Sequence, residues 1–478
     1  MGSGRDGIRR LVPPTHVGWL VVAAGFVLVP VLAGAFILPL TQPRLELGAS
    51  ALIRTSALWS WTTHLAPLVP ESPRTVGVAV LGLTLISVLA LVAGVALTWG
   101  RVATRGRVAI VTGTTILAWS AMMLALPTLD SDIFSYIADG RVAAVHGANP
   151  EVVAPIAFPD DPILPFTSPQ YRGIPGDNKL PLWTNITAIL AGVAGPDPTT
   201  GLLLYRGLFL AGSLANLTLV ALFLRRTRPD VVLAGLVLFG WNPIVLMTSV
   251  SKVDTLMATF ALLSLILLAD GRRRMATGAL ALSVLIKLIT LPLLAVRVGR
   301  SVVRGHWREA GADTLVAVIV AAIVYAPFWA GPQEVAGQVT LLGGGRTVLP
   351  DLIRPVLDLG FVGLLFAVSR WDDGSARRTA IGWSIVMLFF GGLLTTLGLS
   401  WYLITMVALI AVAGDGLLAA GGIGLSAVSF IVDRLDRFEI GLGGALPGSI
   451  LYLAAGGLIV ATVLVGRARR RTGSSTVT

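Results

Sequence analysis

Apolar runs close to twenty residues long alternate with short basic, acidic or proline-rich joins along nearly the whole sequence. That length is what a helix needs to cross a bilayer. Runs near 17–40, 75–99, 108–127, 201–224, 231–249, 253–269, 312–331, 354–369, 379–398, 401–414, 416–432 and 447–466 predict about 12 crossings, with both termini on the same side. The first run is long for a signal-peptide core and lacks a small-residue cleavage site, so it reads as a retained helix. Two shorter pieces, 181–194 and 276–296, would carry arginine clusters to the wrong side if they crossed fully. Each is instead predicted to be a re-entrant hairpin. The second contains Lys287 and Pro292, a break that is tolerated at membrane depth only where protein or a watery cavity satisfies the freed backbone.

The run at 108–127 ends at a carboxylate-rich segment, Leu129-Asp130-Ser131-Asp132-Ile133-Phe134-Ser135-Tyr136. A helix started by Asp132 gathers Asp132, Ser135, Tyr136, Asp139 and His146 on one face and Ile133, Phe134, Ile137, Ala144 and Val145 on the other. This predicts an amphipathic helix lying on the membrane surface, its polar face carrying a candidate base. It opens the longest non-spanning stretch, 128–181, which is rich in Pro, Asp and Gly. A join of that length is usually functional or disordered. A second loop, 41–74, holds Trp59 and Trp61, expected to be headgroup anchors.

Composition agrees with a membrane class: 55% of residues are hydrophobic, 13% are charged, and the net charge of +11 therefore does not indicate nucleic acid. Basic clusters such as Arg225-Arg226, Arg272-Arg273-Arg274 and Arg469-Arg470-Arg471 fall on the inner side of this threading, and most carboxylates fall on the outer side. The positive-inside rule supports that orientation, which leaves 467–478 as a cytoplasmic tail and 1–478 as one transmembrane domain. Cysteine is absent, which excludes disulfides and thiolate metal sites. The four histidines lack metal-site spacing, and no Walker loop, Rossmann fingerprint or Ser-His-Asp arrangement is present.

Ionisable groups at or within a membrane are costly enough to mark function. Asp132, Lys252, Asp254 and Lys287 are of this kind, and Lys179, Lys252 and Lys287 are the only lysines against 33 arginines. Lys252 and Asp254 are two residues apart at the outer end of a helix pair. They suit either a local structural ion pair or a site in which Lys252 holds a phosphate while Asp254 orients a hydroxyl or a metal. Lys287 suits a site cation or a snorkelling side chain. Trp401-Tyr402 could stack on a sugar ring or belong to the aromatic belt, and Gly343-Gly344-Gly345-Arg346 is either a phosphate-closing loop or a plain turn. Asp130 and Asp132 could share a divalent cation such as Mg or Mn, while Asp130 equally suits a helix cap.

Asp132-Ile-Phe-Ser-Tyr136, with Gly140-Arg141, Gly147 and Asn149-Pro150, resembles the first-loop motif of the actinobacterial polyprenol-phosphomannose-dependent alpha-1,6-mannosyltransferases of the GT-C superfamily. Leu180-Pro181-Leu182-Trp183 resembles their Gly-Pro-Leu-Trp element, and Trp241-Asn242-Pro243-Ile244-Val245 their Asn-Pro-Leu-Val element. Asp254 matches the aspartate of their His-Asn-Asp motif, and Lys287 their Val-Lys element. Lys252-Val253 stand where that pattern has His-Asn, and Asn178-Lys179 where it has Tyr-Gly.

The resemblance implies an all-α, polytopic GT-C enzyme in a bacterial plasma membrane, with its site on the extracytoplasmic face. It implies sugar transfer, with mannose the expected sugar, from a polyprenyl-phosphate donor to a glycolipid or cell-envelope glycan. Asp132 would be the general base. Asp130, Ser135, Tyr136, Asp139, Lys179, Trp183, Lys252, Asp254, Lys287, Arg346, Trp401 and Tyr402 are the candidate substrate contacts. The one candidate cofactor is a divalent cation, Mg or Mn, at Asp130 and Asp132. The alternatives are transfer of arabinose or glucose, or a lipid or sugar transporter or flippase, since broken helices also mark transport folds.

Overall fold

A computed structural model describes residues 14–36, 52, 56–60, 73–125, 132–332, 353–395 and 400–437. Asp130, Arg346, Trp61, the predicted crossing at 447–466 and the tail at 467–478 lie outside the described residues. Regular structure in the described residues is helical throughout. The helices of six residues or more are α1 (Pro14–Phe36), α2 (Pro73–Thr98), α3 (Arg105–Leu124), α4 (Asp132–Ala144), α5 (Pro181–Ala194), α6 (Pro198–Thr227), α7 (Val232–Gly240) and α8 (Pro243–Thr248). They continue as α9 (Asp254–Ala269), α10 (Arg273–Val284), α11 (Leu291–Val303), α12 (Trp307–Tyr325), α13 (Ile353–Trp371), α14 (Ala376–Thr395), α15 (Ile404–Ala413) and α16 (Gly416–Arg437).

Among these, His16–Ala33, Val78–Thr98, Arg105–Leu124, Pro198–Thr227 and Gly416–Asp433 have the length and apolarity of a crossing. Large apolar side chains such as Leu89, Ile323 and Leu359 are exposed on α2, α12 and α13. Helices with such outward faces are solvated by lipid, and the chain is an all-α polytopic membrane protein. The central helices α7, α8 and α15 are buried along nearly their whole length.

Local sequence sets the helix boundaries. Proline begins α5, α6 and α8, where its missing N–H costs nothing, and Asp197 caps α6 by accepting from the Thr199 and Thr200 amides. The expected single crossing at 231–249 is corrected to two pieces, α7 and α8. Pro243 cannot donate to the ladder, and Asn242 caps the new start by accepting from the Ile244 amide while donating to Ser426 Oγ on α16.

Both proposed hairpin pieces are helical, but 181–194 is corrected from a hairpin to one unbroken helix, α5, because nothing between Pro181 and Ala194 interrupts its ladder. In the second, α10 and α11 flank a break at Leu285–Lys287, and Pro292 sits harmlessly in the first turn of α11. The carbonyls freed at the break are taken up by the start of α5, because the Leu182 amide donates to Leu285 O and the Leu180 amide to Ile286 O. The hairpin tip and the start of α5 are thereby stitched together.

Trp59 is corrected from a headgroup anchor to a core residue: it is 1% exposed, and its indole N–H donates to Leu124 O at the end of α3. The 132–181 part of the long loop is well structured. It contains α4, three 3-10 turns and a short helix at Pro169–Arg172, and Arg141 pairs with Asp161 across it at 2.9 Å.

Candidate active site

Helix α4 begins at Asp132 as expected, but it does not lie on a lipid surface. Every residue from Ile133 to Val142 is buried, including Tyr136, Asp139 and Arg141 on the nominally polar side. The reason is that α5 and α6 cover it. Tyr205 on α6 donates its hydroxyl to Tyr136 O and Thr187 O, which ties α4 and α5 together. At the crossing point stands Gly140, where a Cβ would collide with the Thr187 carbonyl. Arg141 also donates to Gly195 O, closing the end of α5.

The N-terminus of α4 presents Asp132 to a cluster assembled from five distant parts of the chain. Lys252 Nζ donates to Asp132 Oδ2 at 2.6 Å. The same ammonium lies 4.2 Å from the Trp401 ring centroid. Lys287, at the hairpin tip, pairs with Asp254 Oδ1 at 3.3 Å and lies 3.8 Å from the centre of the Tyr402 ring. Lys179 lies 5.2 Å from the Tyr136 ring centre, and its charge reaches Asp132. All three lysines of the chain therefore meet here, each 9% exposed or less and each against an aromatic face.

The local Lys252–Asp254 pair that the sequence suggests gives way to two long-range pairs, Lys252 with Asp132 and Lys287 with Asp254. Burial pushes the Asp132 carboxyl up, but the Lys252 charge, the Lys179 charge, the Lys252 hydrogen bond and the Lys287 charge outweigh it. Together they hold it well below the usual carboxylate range. Asp254 is 1% exposed and its Oδ2 has no hydrogen-bond partner, an acceptor aligned with nothing the described residues supply. Such an oxygen suits a ligand hydroxyl.

The other expected residues take lesser places. Trp183 lies beneath the site, with its ring centre 5.0 Å from that of Tyr136 and stacked on Phe209 at 5.8 Å. Ser135 Oγ donates back to Asp132 O at 2.7 Å, which steadies the first turn of α4. Asp139 is buried one turn beyond Tyr136. His146, assigned by periodicity to the polar face, is drawn away, because its ring stacks on Phe158 and bonds Asp161 at 2.7 Å. Among the described residues there is no group of three or more His, Asp, Glu or Cys arranged to hold a metal, and Asp130 lies outside them.

Arg206 and the aromatic floor of Phe209 and Tyr205 are site features beyond the residues expected from the sequence. Arg206 is buried in α6 and donates to Met123 O and Ala125 O, capping α3 just before the site segment. An arginine inside an apolar run was the available signal.

The bundle has an opposite, basic end. Arg226 bonds Asp270 at the far end of α9, and Arg228 bonds Gly414 O beyond α15. Arg300 and Arg304 at the end of α11 donate to Asp373 O and Asp372 O. Arg206 joins the start of α6 to the end of α3, so the site end and the arginine end of α6 are separated by its 30 residues.

No curated protein and no solved structure matches the chain. The family model described as alpha-(1->6)-mannopyranosyltransferase, N-terminal domain, matches residues 44–302, more than half of the 478 residues and a range that holds Asp132 and all three lysines. With a buried carboxylate set among cations at one end of a membrane-embedded bundle, the chain belongs to the MptA_B family of alpha-(1->6)-mannopyranosyltransferases, enzymes of the GT-C type.

Proposed function

We propose that this mannosyltransferase takes mannose from a polyprenyl phosphate held in the bilayer and passes it to a hydroxyl of a glycolipid or cell-envelope glycan. The carrying observation is the convergence of Lys179, Lys252 and Lys287 on the Asp132 carboxylate. A phosphate leaving group needs cations at the bond that breaks, and a hydroxyl nucleophile needs a carboxylate to receive its proton. In the step, the acceptor oxygen attacks the anomeric carbon as its proton passes to Asp132. The bond to the phosphate oxygen breaks, and the leaving polyprenyl phosphate carries the electron pair to the lysines. Inversion that yields an α-linkage requires a β-linked donor.

Other features support the same reading. Asp254 Oδ2 offers an acceptor for a sugar hydroxyl, and Trp401 and Tyr402 offer aromatic faces for the ring. An apolar groove of about 260 Å³ runs between α10, α11 and α12, lined by Ala281, Val284, Leu285, Leu294 and Val318 among others. Leu285 is two residues from Lys287, so a lipid chain in that groove would bring its phosphate to the hairpin tip. The arginine-rich opposite end supports a cytoplasmic position for that end and an extracytoplasmic one for the site, in a bacterial plasma membrane.

The test is transfer of radiolabel from polyprenyl-phosphate-mannose into a lipid-extract acceptor by membranes containing the wild-type chain or Asp132→Asn. Label moves with wild type alone if the reading holds. Equal transfer by the variant would remove Asp132 from the chemistry.

A further inference from the structure

The Asp132–Lys252 contact poses a chemical difficulty for a base. The Asp132 carboxylate accepts, through Oδ2, a 2.6 Å charge-assisted hydrogen bond from Lys252, and both side chains are largely removed from solvent. A carboxylate held in that way is a weak proton acceptor. Lys252 itself is a point charge on a four-carbon stem, with three N–H donors and a second, softer contact to the Trp401 face at 4.2 Å. It can turn toward a new anion without leaving the aromatic ring. The second buried pair, Lys287 with Asp254, is longer at 3.3 Å and leaves a carboxylate oxygen open, so the two pairs are not equivalent.

We propose that Lys252 exchanges anions during the cycle: it pairs with Asp132 in the empty site, and the donor phosphate takes it over, so that the carboxylate gains its basicity only once the donor is bound. The exchange rests on the reading of Asp132 as the base and adds an order of events to it. No bond is made or broken; one ammonium trades a carboxylate oxygen for a phosphate oxygen. Lys179 and Lys287 remain near Asp132, and the positive end of the α4 dipole lies at its N-terminus, so the released carboxylate stays in an electropositive setting. The device would keep the site from activating an acceptor hydroxyl, or water, when no donor is present.

Neutralising Asp132 should tighten ligand binding, where removing an active-site residue usually weakens it. Polyprenyl monophosphate, without sugar, is titrated into the full-length protein in lipid nanodiscs for wild type, Asp132→Asn, Lys252→Met and the double variant. Asp132→Asn should bind the phosphate about tenfold tighter than wild type, a gain of about 1.4 kcal/mol, because Lys252 no longer has to be drawn from a carboxylate. Lys252→Met should bind more weakly, and adding Asp132→Asn to it should change little. A double-mutant cycle isolates this coupling. Equal tightening by Asp132→Asn in both backgrounds would mean simple repulsion by the carboxylate and would overturn the exchange, as would no tightening at all. Asp132→Ala serves as the second neutral variant should Asp132→Asn fold poorly, and must show the same pattern. If Asp132→Asn loses transfer but binds phosphate no more tightly, the base survives and the exchange fails.

Discussion

Replacing Lys287 with methionine should both destabilise and silence the protein, because this one ammonium ties the hairpin to the site. Lys287 is paired with Asp254 Oδ1 at 3.3 Å and caps the Tyr402 ring at 3.8 Å. Asp254 is 1% exposed, and its second oxygen already lacks a partner, so losing Lys287 leaves a buried carboxylate with no side-chain cation bonded to it. Breaking a buried pair from one side costs about 3–5 kcal/mol. The lost cation–π contact adds about 0.5–2 kcal/mol. Methionine keeps most of the side-chain volume, which confines the effect to charge. Asp254→Asn added to Lys287→Met removes the stranded charge and should recover about 1–3 kcal/mol, the coupling of a contacting pair. Thermal unfolding in detergent reads the stability series, and transfer of labelled mannose reads function, which neither variant should retain. A Lys287→Met protein with wild-type stability and wild-type transfer would show that the hairpin tip serves neither the fold nor the chemistry.

Gly140→Ala should lower stability by about 1–3 kcal/mol, because the new methyl meets the Thr187 carbonyl, which belongs to a helix that Tyr205 already holds in place. Gly192→Ala, with only the Ala144 methyl nearby at 3.7 Å, is the tolerant control in the same melting experiment. Arg206→Met should cost about 1–3 kcal/mol by leaving Met123 O and Ala125 O without their donor, and should depress transfer as the end of α3 loosens. Asp161 lies between α4 and α5, in none of the helices long and apolar enough to cross a membrane. Burial raises its carboxyl, and the Ile163 amide, His146 and Arg141 more than offset this, so it sits below its ordinary 3.8. A depressed folded value means the stabilisation is present above 3.8 and is lost as pH falls through the folded value. The melting difference between wild type and Asp161→Asn should therefore hold steady from neutral pH down to the ordinary carboxylate range and close only below it. A gap that closed nearer neutrality would contradict that sign.

Periodicity and residue rarity carried much of this site. Three lysines among 33 arginines marked the cations, and the apolar surroundings of Lys287 marked it as costly before its partner was known. The stop of the long helix before Asp132 gave the start of α4, and Asn242-Pro243 held the break that divides α7 from α8. The pairing was not legible. Lys252 and Asp254 look like partners at a spacing of two, yet each bonds a residue far away in the chain, Asp132 and Lys287. The burial of α4 was equally hidden. Its polar face reads as solvent-exposed only until Asp161 neutralises Arg141 and α5 and α6 cover Tyr136 and Gly140. Long-range partners decide whether an amphipathic helix lies on a surface or inside a protein, and local sequence does not encode them.

The carboxylate of Asp132 should take the acceptor's proton while the lysine cluster receives the phosphate. Single-turnover transfer from labelled polyprenyl-phosphate-mannose tests it most directly, with Asp132→Asn compared with wild type after both are shown to be folded and saturated with donor. A positioned base is worth about 10²–10⁴ in rate, so transfer should fall by that factor with donor binding retained. Turnover within a few-fold of wild type would contradict it.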